Sequence, residues 1–253
     1  MGTLSDDIQE YWTARASQDP VAAITGRVTL SDFDRLGRTD AARLLEGLPL
    51  SYTQEMVALD IGCGIGRVEK FIASAFREIH LLDVSPEMIR LARFRLNHFP
   101  NMKFHVGNGM DIRSISDRSI DLVFSIGTFL HMPRKVADEH FREVFRILRE
   151  GGLFRFTVTQ VLLPIRLFTF ARRLRHGNAR TALKFDVEGD LSEGRYYTHA
   201  SLENKLIPRL TGFGFRFHQV KKWPALRIGF LMQDVWVTVS RPKIGARIQQ
   251  PAS

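Results

Sequence analysis

An acidic residue and three glycines lie close together in one short stretch, Leu59 to Gly66, which reads L-D-I-G-C-G-I-G. Asp60 precedes the glycines, which are Gly62, Gly64 and Gly66. Glycine removes the side chain where the backbone bends tightly and approaches a ligand closely. A carboxylate at this point repels a pyrophosphate, because like charges repel, and it attracts a cation. The stretch therefore predicts a site for a nucleotide-like ligand that carries positive charge.

The elements on either side of the glycines are those that could hold such a ligand. The apolar run Val57 to Leu59 predicts a central parallel strand that is covered on both faces. The stretch Arg67 to Phe76 has apolar residues at helical spacing, which predicts a helix packed on the sheet. We expect a ligand at the end of this strand to meet free backbone N–H groups at the start of that helix.

Four more strands are predicted downstream, and helices separate several of them. They are Ile79 to Val84, Lys103 to Val106, Ser119 to Ile126 and Leu153 to Val158. Asp83 ends the first of these strands. Alternation of strands and helices is typical of a doubly wound parallel sheet, in which ligands bind at the carboxyl ends of the strands. The sequence therefore predicts that Asp83 lies beside the glycine turn.

The glycine motif, followed by these strands in this order, resembles the class I S-adenosylmethionine-dependent methyltransferases. The ending, Tyr196-Tyr197-Thr198 and then a helix and two strands at about 215–220 and 233–240, is similar to the small-molecule enzymes of ubiquinone biosynthesis. The resemblance implies an α/β fold with a mostly parallel seven-stranded sheet, helices on both faces and an antiparallel terminal strand pair. It also implies a helical N-terminal cap, residues 1–50, before a methyltransferase domain, residues 51–253, with a helical insertion at about 160–195.

The resemblance implies S-adenosyl-L-methionine as the cofactor. Asp60 would help to position its methionine end, Asp83 would accept both ribose hydroxyls, and Asn108 stands where the family has an acid that contacts adenine. Asp111 is the alternative adenine contact. The implied cofactor-binding residues are Asp60, Gly62, Gly64, Gly66, Asp83, Val84, Asn108, Gly109, Met110, Ser125 and Ile126.

The predicted N-terminal helix adds Tyr11 and Arg15 to the cofactor-binding residues, with Trp12 between them. In the family that the motif suggests, such a helix often lies over the cofactor cleft, which makes these side chains candidate lid residues. The alternative is that Tyr11 and Trp12 only dock the helix on the domain.

His131 is the candidate catalytic residue, because it follows the fourth strand, where the resemblance places the methyl acceptor. If the acceptor is a hydroxyl group, a neutral histidine can remove its proton. The alternative is that His131 packs on the cofactor or holds the loop. The implied activity is methyl transfer to a small-molecule or lipid-linked acceptor, most simply an O-methylation. No histidine pair or carboxylate cluster with metal-ligand spacing occurs, so we expect no metal.

Composition limits the partners and the compartment. The chain has 253 residues, a net charge of +9 and one cysteine, Cys63, and it has no apolar run long enough to span a bilayer. These features and the polar N-terminus predict a cytoplasmic protein. Ser125 to Thr128 lacks the tetrapeptide of the nucleic-acid methyltransferases, which disfavours nucleic acid as the substrate.

The basic stretch 166–180 leaves one alternative open, that the protein acts on RNA or at an anionic membrane surface. A lid helix with a solvated basic face is the favoured interpretation of this stretch. The sequence does not identify the acceptor or the oligomeric state.

Overall fold

The computed structural model describes residues 4–26, 28–48, 54–161, 196–197, 202–227 and 232–243. The predicted helical insertion at about 160–195 lies outside these ranges, except for residues 160 and 161, which end a strand. The whole basic stretch 166–180 also lies outside them. The insertion therefore remains a prediction, and so does the division into domains.

One mixed sheet forms the centre of the protein. Its strands are β1 (Val57–Ile61), β2 (Glu78–Asp83), β3 (Met102–Val106), β4 (Ile120–Ser125), β5 (Leu148–Val161), β6 (Tyr196–Tyr197), β7 (Arg216–Arg227) and β8 (Met232–Ser240). The order is β3-β2-β1-β4-β5-β8-β7, and the short β6 pairs with β5. Strands β1 to β5 are parallel, whereas β8 runs antiparallel to both β5 and β7. The predicted sheet of seven strands with an antiparallel terminal pair is confirmed, with β6 as an addition.

Helices cover both faces of the sheet, as predicted. They are α1 (Leu4–Gln18), α2 (Pro20–Thr25), α3 (Leu30–Leu45), α4 (Glu69–Ile72), α5 (Pro86–Arg95), α6 (Arg134–Ile147) and α7 (Ile207–Gly212), with 3-10 turns at Ala73–Ala75 and Phe129–His131 and a π-helix at Leu202–Leu206. The buried cluster on one face includes Leu44 of α3 and Ile89 of α5. The cluster on the other face includes Phe141 of α6 and Leu210 of α7.

Two helices of the N-terminal segment begin where a side chain caps them. Thr29 Oγ1 accepts the backbone N–H of Asp32, so α3 begins at Leu30. Asp19 caps α2 in the same way, because its side chain accepts the backbone N–H of Ala22.

The helix after β1 is shorter than predicted. A continuous helix was expected from Arg67 to Phe76, but α4 makes one turn and is followed by a 3-10 turn. The side-chain amide of Asn101 donates to the carbonyl oxygens of Ala73 and Phe76, at 2.8 and 2.9 Å. These contacts satisfy carbonyl groups at the end of the turn, where a helix leaves them without partners.

Pro208 lies in the first turn of α7, directly after the π-helix Leu202–Leu206. The first turn tolerates proline, because its backbone nitrogen needs no partner within the helix there.

Candidate functional site

A cleft of about 930 Å³, counting the space that is open to solvent at its mouth, lies at the carboxyl ends of β1, β2 and β4. This is where a doubly wound sheet binds its ligands. Of the predicted site residues, the cleft wall includes Gly62, Gly64, Asp83, Val84, Gly109, Ile126 and His131. The remaining predicted residues are not part of this wall; they are Asp60, Gly66, Asn108, Met110, Ser125, Tyr11 and Arg15.

The turn after β1 needs glycine for both conformation and space. Gly62 and Gly64 have φ values of 81° and 55°, in the region that disfavours other residues. A Cβ atom on Gly62 would lie 2.2 Å from Oγ1 of Thr128, and one on Gly64 would lie 2.6 Å from Cδ1 of Ile24. The turn is therefore packed between the loop after β4 and helix α2.

Three backbone N–H groups of this turn have acceptors at the end of β2. Gly62 and Cys63 both donate to the carbonyl oxygen of Leu82, at 2.7 and 3.1 Å, and Gly64 donates to the carboxylate of Asp83. The parallel neighbour β2 ends beside the turn and supplies these acceptors, so the donors join two strand ends.

Asp83 is at the centre of the cleft wall. Its Oδ2 accepts the N–H of Gly64 and its Oδ1 accepts that of Ser85, both at 2.9 Å. Burial raises the pKa of this carboxyl group to about 6, although the backbone hydrogen bonds act in the opposite direction. Each oxygen still has a lone pair, so the group can accept further hydrogen bonds from a ligand.

A pair of acids, Asp60 and Glu69, lies behind the glycine turn. Asp60 is 4% exposed, and Glu69, which was not predicted as a site residue, is fully buried. Burial, and then the charge and hydrogen bond of Glu69, raise the pKa of Asp60 well above its ordinary value. Because the side chain of Asp60 is buried, its contact with a ligand in the cleft stays a prediction.

Asn108 is used within its own turn. Its Oδ1 accepts the N–H groups of Met110 and Asp111, at 2.8 and 3.0 Å, and its Nδ2 donates to the Asp111 carboxylate at 3.2 Å. The turn presents Gly109 and Asp111 to the cleft. Asp111, the alternative of the sequence analysis, is therefore the acid of this turn that lies in the cleft wall, and its contact with adenine remains a prediction.

The other end of the cleft contains His131, at the end of the 3-10 turn Phe129–His131. Its ring packs edge-on against Trp12 of α1, with the ring centroids 5.0 Å apart. Ser125, at the end of β4, is buried and donates to the carbonyl oxygen of Ile61 at 2.7 Å. Ser125 thus joins β4 to β1, and the next residue, Ile126, reaches the cleft wall.

His140 also lines this end of the cleft and was missed by the sequence analysis. It is 2% exposed, and its Nδ1 lies 2.9 Å from the carbonyl oxygen of Val136, so Nδ1 carries the hydrogen in the neutral ring and Nε2 is an acceptor. Burial lowers its pKa. A histidine at a buried position of α6, between Val136 and Val144, was the signal in the sequence.

Helix α1 covers the cleft. The Gln9 side chain donates to the carbonyl oxygen of Val84 at 3.0 Å, and Ser5 donates to that of Asn108 at 2.5 Å. Ile8 and Trp12 reach the cleft wall. The candidate lid residues Tyr11 and Arg15 hydrogen-bond each other at 3.1 Å, and their contact with a cofactor remains a prediction.

Metal-site clusters and membrane-spanning helices are both absent from the described ranges. No cluster of three or more histidine, cysteine or acidic side chains with the geometry of a metal site occurs in these ranges. The helices of the same ranges include none with the length and apolarity that a membrane crossing requires.

Comparison with known proteins identifies the domain. Residues 58–152 match the family described as the methyltransferase domain. The chain is 29% identical over 120 residues to phosphoethanolamine N-methyltransferase 1 of Caenorhabditis elegans, which covers 47% of this chain and 25% of that protein. It is 28% identical over 156 residues to the fatty-acid O-methyltransferase of Mycolicibacterium smegmatis, which covers 61% of this chain and 54% of that protein. The chain thus spans between a quarter and about half of the length of these relatives.

A solved structure shares the fold over nearly the whole chain. It is the geranyl diphosphate C-methyltransferase of Streptomyces coelicolor in complex with Mg²⁺, geranyl diphosphate and S-adenosyl-L-homocysteine. The TM-score is 0.64, the sequence identity is 13%, and the match covers 95% of this chain and 100% of that chain. At this identity the likeness shows the fold alone.

Proposed function

We propose that the chain transfers a methyl group from S-adenosylmethionine to a small, largely apolar acceptor, because residues 58–152 match the methyltransferase domain family. The observation that carries the proposal is the position of Asp83. A carboxylate fixed by two backbone N–H groups forms the cleft wall beside the glycine turn, where a ribose with two hydroxyls fits.

The residues of the cleft suit this cofactor. Asp83 would accept the ribose hydroxyls, and Asp111 would accept the amino group of adenine. The buried oxygens of Asp60 and Glu69 that lack partners within the described ranges lie behind the glycine turn and favour a cation. When bound, the cofactor supplies a methyl group that its sulfonium activates for displacement, and the protein supplies orientation and electrostatics.

We propose a hydroxyl oxygen as the acceptor atom and His131 as the base. His131 lies at the end of the cleft, beyond the loop that follows β4, and its ring is held by Trp12. Met132 and Val136 give that end an apolar wall, which suits a lipid-like or aromatic acceptor. The similarity to a fatty-acid O-methyltransferase supports oxygen, whereas the other relative is named as an N-methyltransferase, so the experiment must test both atoms.

The test begins with the cofactor. We expect S-adenosylmethionine and S-adenosylhomocysteine to bind in calorimetry and NAD not to bind, with the affinity for both adenosyl compounds lost in Asp83→Ala. Transfer of a labelled methyl group is then measured on matched pairs of acceptors, an alkylphenol against the corresponding alkylaniline. Binding of NAD instead would contradict the proposal, and labelling of the aniline alone would change the acceptor atom to nitrogen.

A further inference from the structure

Two carboxyl groups lie against each other behind the glycine turn without a basic side chain bonded to either within the described ranges. Asp60 is in β1, and Glu69 is the first residue of α4. Both residues are buried, and the charge and side chain of Glu69 act on Asp60 to raise its pKa, after burial itself. Two carboxylates in contact and away from water cannot both be ionised.

One oxygen of each carboxyl group lacks a hydrogen-bond partner in the described ranges. Glu69 Oε2 accepts the backbone N–H of Val68 at 3.2 Å. Oε1 of Glu69 and Oδ1 of Asp60, however, have no hydrogen-bond partner in the part of the chain that the structure describes. Buried polar atoms without partners are costly and are retained where a ligand or a proton completes them.

The charged groups around the pair leave its negative charge largely unbalanced. Asp83 faces Asp60 from β2 and adds negative charge. The positive charge of Arg67 acts to lower the pKa of Asp60. Its guanidinium group, however, is bonded to Asp40 of α3 at 2.8 Å. The thiol of Cys63 has a raised pKa, because of burial and then the charges of Asp83, Glu69 and Asp60, so it stays neutral.

We propose that Asp60 holds a proton against Glu69 in the free protein, and that binding of the cationic cofactor releases this proton to the solvent, which leaves the pair as the counter-charge of the cofactor's positive end. This inference rests on the proposed function, because it takes S-adenosylmethionine as the ligand. It adds Glu69 to the site as a positioning residue that acts through Asp60 and the glycine turn, since neither carboxyl group forms the cleft wall.

The charge difference between cofactor and product determines when the proton is released and when it is taken up. S-adenosylmethionine carries one positive charge more than S-adenosylhomocysteine, whose sulfur is neutral. A positive charge near the pair favours the ionised form, so the proton is released when the cofactor binds. It is taken up again when the methyl group has left, because the remaining thioether no longer stabilises the second negative charge. The pair therefore favours cofactor over product.

The test is calorimetry at about pH 6.5, in two buffers that differ in ionisation enthalpy, with S-adenosylmethionine as the probe. We expect the wild-type protein to release about one proton more than Glu69→Gln does. Glu69→Gln should also lower the affinity for S-adenosylmethionine about tenfold and that for S-adenosylhomocysteine much less, because only the former has the additional charge. The matched control is Glu87→Gln, which changes an exposed carboxylate that pairs with Arg90 on α5 and should leave proton release unchanged.

If Glu69→Gln does not fold, as judged by circular dichroism, Asp60→Asn is the second variant. It also removes the proton of the pair and should abolish proton release on binding of the cofactor. Equal release by the wild-type protein and a folded variant of the pair would overturn the inference, as would an equal loss of affinity for both adenosyl compounds. A wild-type protein that binds neither compound would instead contradict the proposed function.

Discussion

The carboxylate of Asp83 accepts the backbone N–H of Gly64 at 2.9 Å, which joins the end of β2 to the turn after β1. This hydrogen bond orients the carboxylate and fixes the glycine turn at the same time. The acid that we propose to bind the ribose is thus also a structural residue, and we expect its ionisation to affect both binding and folding.

Cofactor binding should depend on the ionisation of Asp83, whose pKa is raised to about 6 by burial. An ionised carboxylate accepts ribose hydroxyls with both oxygens, so the affinity for S-adenosylhomocysteine should increase as the pH rises from about 5 to 7. In Asp83→Asn, calorimetry should show weak binding without this increase. The same increase in the variant would assign the titration to another group.

The stability of the free protein should change with pH in the opposite direction. The pKa of Asp83 is about 6 in the folded protein against an ordinary value of 3.8, so the folded state holds the proton more tightly. Its contribution to stability is present below the lower value and is lost as the pH rises through the higher one. Urea denaturation of the unliganded protein should show that this loss is smaller in Asp83→Asn.

His131 should be required for the chemical step. We expect His131→Gln to lower kcat by about 100-fold or more, because general-base catalysis contributes on this scale, and to leave the affinity for the cofactor nearly unchanged. Labelled methyl transfer to the phenol measures kcat, and calorimetry measures the affinity. His140→Phe keeps a ring that can pack against Phe129 but removes the acceptor nitrogen. A larger loss of kcat in this second variant would assign the base to His140.

The hydrogen bonds of α1 should slow the release of the cofactor. Ser5 and Gln9 are bonded to backbone carbonyl groups at the ends of β2 and β3, and each bond is worth about 1 kcal/mol. The double variant Ser5→Ala and Gln9→Ala should therefore increase the dissociation rate by about 30-fold, measured by the fluorescence of Trp12 in the cleft. Ser17→Ala is the control, because Ser17 bonds only within α1. An equal effect of both changes would contradict a lid role.

Gly62 should tolerate no side chain. Gly62→Ala combines a φ of 81° with a Cβ atom 2.2 Å from Oγ1 of Thr128, so we expect a loss of about 2 kcal/mol or more in the free energy of unfolding. Gly212→Ala, at the end of α7, meets nothing within 4 Å and should change it by less than about 1 kcal/mol. Urea denaturation measures both variants. Similar values for the two would show that the turn relaxes around the added atom.

The sequence by itself determined the sheet and the edge at which its ligand groups meet. Parallel strands that alternate with helices bring their carboxyl ends together, so Gly62, Asp83 and His131 could be assigned to one cleft from their places after strands. The likeness of the motif to class I methyltransferases was also available from the residues, and the matching domain confirms it. The similarity to the ubiquinone-biosynthesis enzymes remains a prediction.

Only the tertiary structure decided which groups are free and which are occupied. The backbone donors of the glycine turn are taken by β2, and the amide oxygen of Asn108 is taken by its own turn. Glu69 and His140 are buried residues of α4 and α6. The groups that these two side chains face cannot be derived from the spacing of residues along the helices. Hydrogen-bond partners and neighbouring charges come from segments far apart in the chain, so the local spacing of residues does not reveal them.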